Sequence, residues 1–176
     1  YFAASNTGAN HGGYYASTPL LHDIAALQKL YGADMTTRAG DTVYGFGSTA
    51  GRKAFDFTQN THPIVCIWDG GGTDTLNVSG FGNDQLIDLH AGSFSNVGGL
   101  TSNVSIAYNC NIENAIGGSG NDTLIGNALN NVLTGGAGND TLNGDTGEDR
   151  LIGGLGDDTY VINSTGDVMV EQAGQG

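Results

Sequence analysis

The chain has 176 residues, 31 of them glycine, and its 18 acidic against 5 basic side chains leave a formal net charge of −13. Such a surface repels nucleic acid and anionic membranes, and no stretch is apolar enough to insert in a bilayer or to act as a signal peptide. The first residue is Tyr1 rather than methionine, so the sequence reads as a fragment or a processed product.

Residues 1–17 are small, polar and aromatic, without a clear period. A helix is predicted next, with Thr18 as its cap, Pro19 at its first position and Gly32 as its stop. Leu20, Leu21, Ile24, Leu27, Leu30 and Tyr31 share one face of it at helical spacing. That face needs a partner, expected N-terminal to Tyr1 because the rest of the chain reads mostly as strands. From about residue 33 short β segments are predicted near 42–46, 54–58, 64–68, 75–78, 85–89 and 104–107. Cys66 and Cys110 are the only cysteines. Both a disulfide in an oxidising compartment and two buried thiols fit them. With His11, His22, His62 and His90 they show no close metal-ligand spacing, so no structural zinc site is expected there. The sequons at Asn77, Asn103, Asn121 and Asn139 read as incidental.

Five consecutive blocks of nine residues fill 117–161: GGSGNDTLI, GNALNNVLT, GGAGNDTLN, GDTGEDRLI and GGLGDDTYV. Position six is Asp122, Asn131, Asp140, Asp149 and Asp158; position eight is Leu124, Leu133, Leu142, Leu151 and Tyr160. An acidic, glycine-rich linker has no reason to place an apolar residue at every ninth position. The pattern G-G-x-G-x-D-x-U-x is instead a recognised signature of calcium-binding parallel β-helices. Its glycines suit a tight turn, and positions seven to nine suit a short strand with one inward side chain. The fold class is therefore all-β: a parallel β-roll, a two-sheet solenoid of nonapeptide repeats, preceded by one α-helix.

Two blocks make one coil, so same-side turns stack at about 4.8 Å. Asp122, Asp140 and Asp158 would line one edge, and Asn131 and Asp149 the other. Carboxylates that close repel unless a cation lies between them. Ca2+ suits the position because it takes about six to eight hard oxygen ligands in flexible geometry, whereas Mg2+ demands a compact octahedron. The candidate calcium ligands of the array are Gly117, Ser119, Asn121, Asp122, Asn131, Gly135, Gly136, Ala137, Asn139, Asp140, Asp149, Gly153, Asp157 and Asp158, with turn carbonyls supplying what carboxylates do not. Block two has Leu129 at a glycine position and Asn131 for Asp, so the Asn131–Asp149 site is expected to be weaker. An isolated copy, DGGGTDTLN at 69–77, puts Asp74 and Leu76 at positions six and eight. The roll is thus expected to begin early, with an insertion at 79–116. The tail, 162–176, holds a strand-like segment at 167–171 but no evident cap of the kind a solenoid needs.

YYASTPLLHDIAALQKLYG at 14–32, TTRAGDTVYGF at 36–46, WDGGGTDTL at 68–76 and ENAIGGSGND at 113–122 together resemble serralysins. These are secreted bacterial zinc metalloendopeptidases of the metzincin group, in the peptidase M10 family, with an RTX-type β-roll. The resemblance runs from Tyr1 to about residue 161. It implies that 1–32 close a catalytic domain and that 33–176 form its calcium-binding roll. It further implies that Tyr1, at the end of the Met-turn motif, ligates the catalytic Zn2+ of the complete protease. The family's early calcium site falls on Arg38, Gly40 and Thr42 with Asp69, Gly71, Gly72 and Asp74, where Arg38 and Thr42 contribute main-chain carbonyls. Calcium-dependent folding, type I secretion to the extracellular space, an N-terminal catalytic fragment as partner and protein substrates for the parent enzyme follow from the same likeness. The departure is that no H-E-x-x-H occurs in the sequence, and His22 reads as helix surface. A metzincin needs those histidines for zinc and that glutamate to activate water, so this chain alone is not expected to cleave peptides. The same roll also serves other hosts, namely an adhesin, toxin, lipase or alginate epimerase; the predicted helix and Tyr1 favour the protease.

Overall fold

The computed structural model describes residues 10–171. Helix α1 (Leu21–Tyr31) starts later than the sequence suggests, with Leu20 as its cap. The Leu20 N–H donates to Asp23 Oδ2 at 3.0 Å, and that carboxylate also sits well at the positive end of the helix. Thr18 has other partners: its hydroxyl donates to the Pro19 carbonyl and accepts the Cys66 N–H, both at 2.9 Å. It therefore pins the N-terminal segment to the sheet instead of capping the helix. Of the predicted apolar face, Leu21 is buried and Ile24 packs on the core, while Leu27, Leu30 and Tyr31 stay exposed. The roll itself thus supplies the partner for the first turn of the helix. No helix among the described residues is long and apolar enough to cross a membrane.

Thirteen short strands follow among the described residues. They are β1 (Val43–Gly45), β2 (Val65–Ile67), β3 (Thr75–Asn77), β4 (Leu86–Asp88), β5 (Phe94–Ser95), β6 (Val104–Ile106) and β7 (Asn114–Ile116), then β8 (Thr123–Asn127), β9 (Val132–Ala137), β10 (Thr141–Asp145), β11 (Arg150–Leu155), β12 (Thr159–Val161) and β13 (Val168–Val170). One sheet runs β1-β3-β7-β9-β11-β13, the second β12-β10-β8-β4 and the third β2-β6-β5. Every strand pairing is parallel except β5 with β6. Parallel neighbours cannot be joined by a hairpin, and the chain solves this by alternating between sheets.

Position eight builds the core. In one sheet Tyr44, Leu76, Ala115, Leu133, Leu151 and Met169 are successive register partners. In the other, Ile87, Leu124, Leu142 and Tyr160 are. All but Tyr160 and Met169 are wholly buried. A strand turns alternate side chains to opposite faces, so one leucine per nonapeptide suffices for a continuous apolar column.

Two expectations are corrected. Residues 54–58 are not a strand: a 3-10 turn spans Lys53–Phe55, and Gly45 then bridges Asp56. Phe55 and Phe57 do alternate into the core, but Asp56 bends the chain by accepting the Thr58 N–H and hydroxyl at 3.0 and 2.6 Å. Such an Asx turn competes with a ladder. Nor does the insertion at 79–116 interrupt the roll. It contributes β4, β6 and β7, and β3 pairs β7 over 39 residues, so this is one enlarged coil. Cys66 and Cys110 are both buried and unpaired, so of their two readings the thiols stand.

Candidate metal centre

The residue before each paired strand occupies a turn, and those turns stack along two edges. Gln85, Asp122, Asp140 and Asp158 line one; Thr42, Asp74, Glu113, Asn131, Asp149 and Asp167 line the other, as the strand registers require. The side chains reach back along the stack. Asp122 Oδ1 accepts the Gln85 N–H at 2.7 Å, Asp140 Oδ1 that of Asp122 at 2.7 Å, and Asp158 Oδ1 that of Asp140 at 2.8 Å. On the second edge Asp74 Oδ1 accepts the Thr42 N–H, Glu113 Oε2 that of Asp74, Asp149 Oδ1 that of Asn131 and Asp167 Oδ1 that of Asp149, at 2.7 to 3.2 Å.

One oxygen of each aspartate is thereby engaged. In four of them the other is not: Oδ2 of Asp74, Asp140, Asp149 and Asp158 is buried without a hydrogen-bond partner. Buried polar atoms are nearly always satisfied, and leaving a charged one bare is costly. Burial accordingly pushes the Asp140 carboxyl up to about 6, with Asp122 and Asp158 adding to the rise. Burial also lifts Asp74 to about 7, helped by Asp69 and Glu113, and raises Asp122, Asp149 and Asp158 as well. Asp122 and Asp167 differ: Oδ2 of Asp122 accepts the Gly118 N–H at 2.5 Å, and Oδ2 of Asp167 accepts the N–H groups of Asn163 and Ser164 at 3.1 and 3.0 Å.

Glycine is required where these turns touch. A Cβ on Gly135 would lie 2.2 Å from Asp140 Oδ2, and one on Gly136, whose φ is +121°, 2.2 Å from the Gly118 carbonyl oxygen. The same Cβ on Gly135 would lie 2.7 Å from the Gly153 carbonyl oxygen, so a turn carbonyl of the next coil stands beside the bare Asp140 oxygen. The result is a donor set of hard oxygens, the chemistry that suits a calcium-like cation. Among the described residues no three His, Cys, Asp or Glu side chains converge on one point. An edge with one carboxylate per turn produces no such cluster.

The other candidates divide. Gly117 and Gly153 lie against the carboxylates of their own blocks, since a Cβ there would meet Asp122 Oδ2 at 2.5 Å and Asp158 Oδ2 at 2.0 Å. Ala137 donates its N–H to the Gly118 carbonyl at 3.0 Å, and Ser119 sits exposed in the same stack. Asn121 and Asn139 spend their side-chain oxygens on the next coil, and Asp157 is exposed. Asn131 has no bare oxygen: Oδ1 accepts the Asn127 N–H and Nδ2 donates to the Glu113 carbonyl, both at 2.8 Å. Its amide donates to the preceding coil, where an aspartate accepts.

At the start of the roll Thr42 OH donates to the Gly40 carbonyl at 2.9 Å, and a Cβ on Gly72 would strike Gly40, so segment 38–42 lies on the turn 69–74. Asp69 is already served there. Its Oδ1 accepts the Gly71 N–H at 2.9 Å and its Oδ2 the Tyr44 hydroxyl at 2.6 Å. Arg38, at φ +50°, donates from Nε to the Tyr44 oxygen at 2.7 Å and from Nη2 to the Trp68 carbonyl. Its guanidinium is a structural tie, and only its carbonyl is available to a cation. Tyr1 lies outside the described residues.

Glu113 and Asp167 were missed as position-six residues because their blocks lack the glycines. The usable signal was spacing: each stands nine residues from an array aspartate, with Ala115 and Met169 at position eight.

Residues 33–175 match the family model described as peptidase M10 serralysin C terminal. The chain is 58% identical over 138 residues to Metalloprotease AprA of Pseudomonas entomophila (strain L48), covering 76% of this chain and 28% of that protein. It is 57% identical over 126 residues to Serralysin B of Dickeya chrysanthemi, covering 71% and 26%. It is 55% identical over 134 residues to Serralysin of Proteus mirabilis, covering 76% and 27%. The chain thus spans little more than a quarter of the length of these curated relatives. With most of its residues inside the family model and a parallel roll to match, it belongs to the peptidase M10 serralysin C-terminal family.

Proposed function

We propose that this chain is the C-terminal calcium-binding roll of a secreted, serralysin-type zinc metalloendopeptidase, and that calcium drives its folding, stability and export. The observation that carries the reading is the set of buried Oδ2 atoms without partners on Asp74, Asp140, Asp149 and Asp158. Calcium would be held by these oxygens together with the turn carbonyls of adjacent coils. When bound it supplies the positive charge that the stacked carboxylates lack. Without it, carboxylate repulsion and the backbone entropy of the glycine-rich turns oppose folding. With free ion at a hundred times the dissociation constant, each site adds about 2.7 kcal/mol, and a few such sites rival the roughly 5–15 kcal/mol that holds a domain together. In a calcium-poor cytosol the chain would stay extended for type I secretion, and it would fold outside.

Residues 1–32 are read as the end of the catalytic domain and 33–176 as the roll. The exposed Leu27, Leu30 and Tyr31 of α1 fit a surface that the preceding catalytic part covers. Peptide cleavage, Zn2+ and protein substrates are assigned to that part, with Tyr1 as a zinc ligand, because this chain has no H-E-x-x-H. The relatives above are named as a metalloprotease and serralysins, which favours the protease host over an adhesin, toxin, lipase or epimerase. Circular dichroism during a calcium titration tests the proposal. A gain of β signal below millimolar calcium is expected, and a flat titration overturns it.

A further inference from the structure

Position five of the nonapeptide is an unrestricted x in the motif, yet here it is Asn121, Asn130, Asn139, Glu148 and Asp157. Each carries a side-chain oxygen that accepts hydrogen bonds. Among the described residues three of them are used this way. Asn121 Oδ1 accepts the Asn139 N–H at 2.8 Å, Asn139 Oδ1 accepts the Asp157 N–H at 3.0 Å, and Asp84 Oδ1 begins the same row by accepting the Asn121 N–H at 2.8 Å. On the opposite edge Asn130 Oδ1 accepts the Glu148 N–H at 3.0 Å, and Asp41 Oδ1 the Thr73 N–H at 2.8 Å.

Within the array these rungs span 18 residues, as the carboxylate rungs do, but they run the other way. Position-six side chains reach to the preceding coil; position-five side chains reach to the following one. Adjacent turns are therefore stitched twice, with opposite polarity, by neighbouring residues. The chemistry of the two rows also differs. Position six of the first edge is acidic at Asp122, Asp140 and Asp158, and like charges push the coils apart. Asn121 and Asn139 hold those same coils together and add no charge.

We propose that Asn121 and Asn139 are positioning residues for the metal, fixing the separation and tilt of adjacent turns so that the bare carboxylate oxygens and the turn carbonyls keep a calcium-sized spacing. The inference rests on the calcium reading above and deepens it. A spacing held from both sides cannot contract onto a smaller ion. Calcium–oxygen distances are about 2.3–2.6 Å against about 2.0–2.1 Å for magnesium, so the asparagine row favours calcium over magnesium as well as strengthening binding.

The test uses the full chain with Asn139→Ala, Asn139→Asp and, as an independent rung should the first variant not fold, Asn121→Ala. Calcium and magnesium titrations are followed by circular dichroism, and amide exchange is measured at saturating calcium. Loss of one such hydrogen bond should raise the calcium midpoint roughly two- to tenfold. It should also narrow the calcium–magnesium gap and speed exchange of the Asp157 amide, or of the Asn139 amide in Asn121→Ala. Asn139→Asp, which keeps the acceptor, should restore protection of the Asp157 amide and preference for calcium. An unchanged midpoint, equal weakening for both ions, or no rescue by aspartate overturns the proposal. A wild-type chain that takes up no calcium would instead strike the reading on which it rests.

Discussion

Replacing Asp140 by asparagine should change stability in opposite directions with and without calcium. Asp140 Oδ1 serves the Asp122 N–H, while Oδ2 is buried and bare. The roll tolerates an asparagine at this position, because Asn131 occupies the equivalent place with both amide atoms hydrogen-bonded. In a metal-free chain the substitution removes an unfavourable charge. Burial lifts the Asp140 pKa from 3.8 to about 6, which corresponds to roughly 3 kcal/mol against the ionised form at neutral pH. Asp140→Asn should gain about that much in chelator. With calcium the sign reverses. Asp140 stands between Asp122 and Asp158, so its loss weakens the sites on both sides. At a hundredfold excess over the dissociation constant two sites contribute about 5 kcal/mol, leaving a net loss of about 2 kcal/mol. Thermal melts of both proteins in calcium give one arm. Refolding driven by an excluded osmolyte in chelator gives the other, because osmolytes strengthen burial without supplying a cation. A shift of the same sign in both buffers would refute the claim that the bare oxygen is a liability only until an ion arrives.

Three further outcomes are expected. Leu142→Ala, which empties a wholly buried rung between Leu124 and Tyr160, should cost about 2–5 kcal/mol in thermal melts at saturating calcium; an unchanged melt would contradict its role as core. Asn131→Asp should raise the calcium stoichiometry measured by isothermal titration, because it replaces the amide that donates to the Glu113 carbonyl with an acceptor; unchanged stoichiometry would show that Glu113 and Asp149 do not share an ion across it. His90 should act as a pH-sensitive clasp between coils: Nδ1 faces Asp88 Oδ1 at 2.7 Å and Nε2 faces Asp145 Oδ2 at 3.2 Å, which only an imidazolium can satisfy together. Burial pulls its pKa down, but the bonds to Asp88 and Asp145 outweigh this and hold it above the ordinary histidine value. A folded pKa above the unfolded one makes the contribution complete below about 6.5 and lost as pH rises through the folded value. The ring is 42% exposed, so the effect should be about 0.2–1 kcal/mol, seen as a stability slope at neutral pH that vanishes in His90→Gln.

The repeats carried most of the fold in plain view. One inward leucine every nine residues implies a coil with two strands, and Leu124, Leu133, Leu142 and Leu151 stack accordingly. A position-six aspartate implies charged edges, and Asp122, Asp140 and Asp158 share one. Spacing is local information, and a solenoid reuses it identically in each coil. Pairing between distant segments leaves no such trace. Thr18 was legible as a helix cap, yet it is bonded to Cys66, and residues 79–116 read as an interruption although they supply strands to all three sheets. Glu113 and Asp167 joined the acidic edge without their glycines, because register rather than turn composition places them there. What tertiary structure alone decided is which oxygen of each carboxylate is engaged. Only when one coil lies on the next does a backbone N–H meet Oδ1, and at Asp74, Asp140, Asp149 and Asp158 that leaves Oδ2 bare, the asymmetry on which the proposed calcium reading rests.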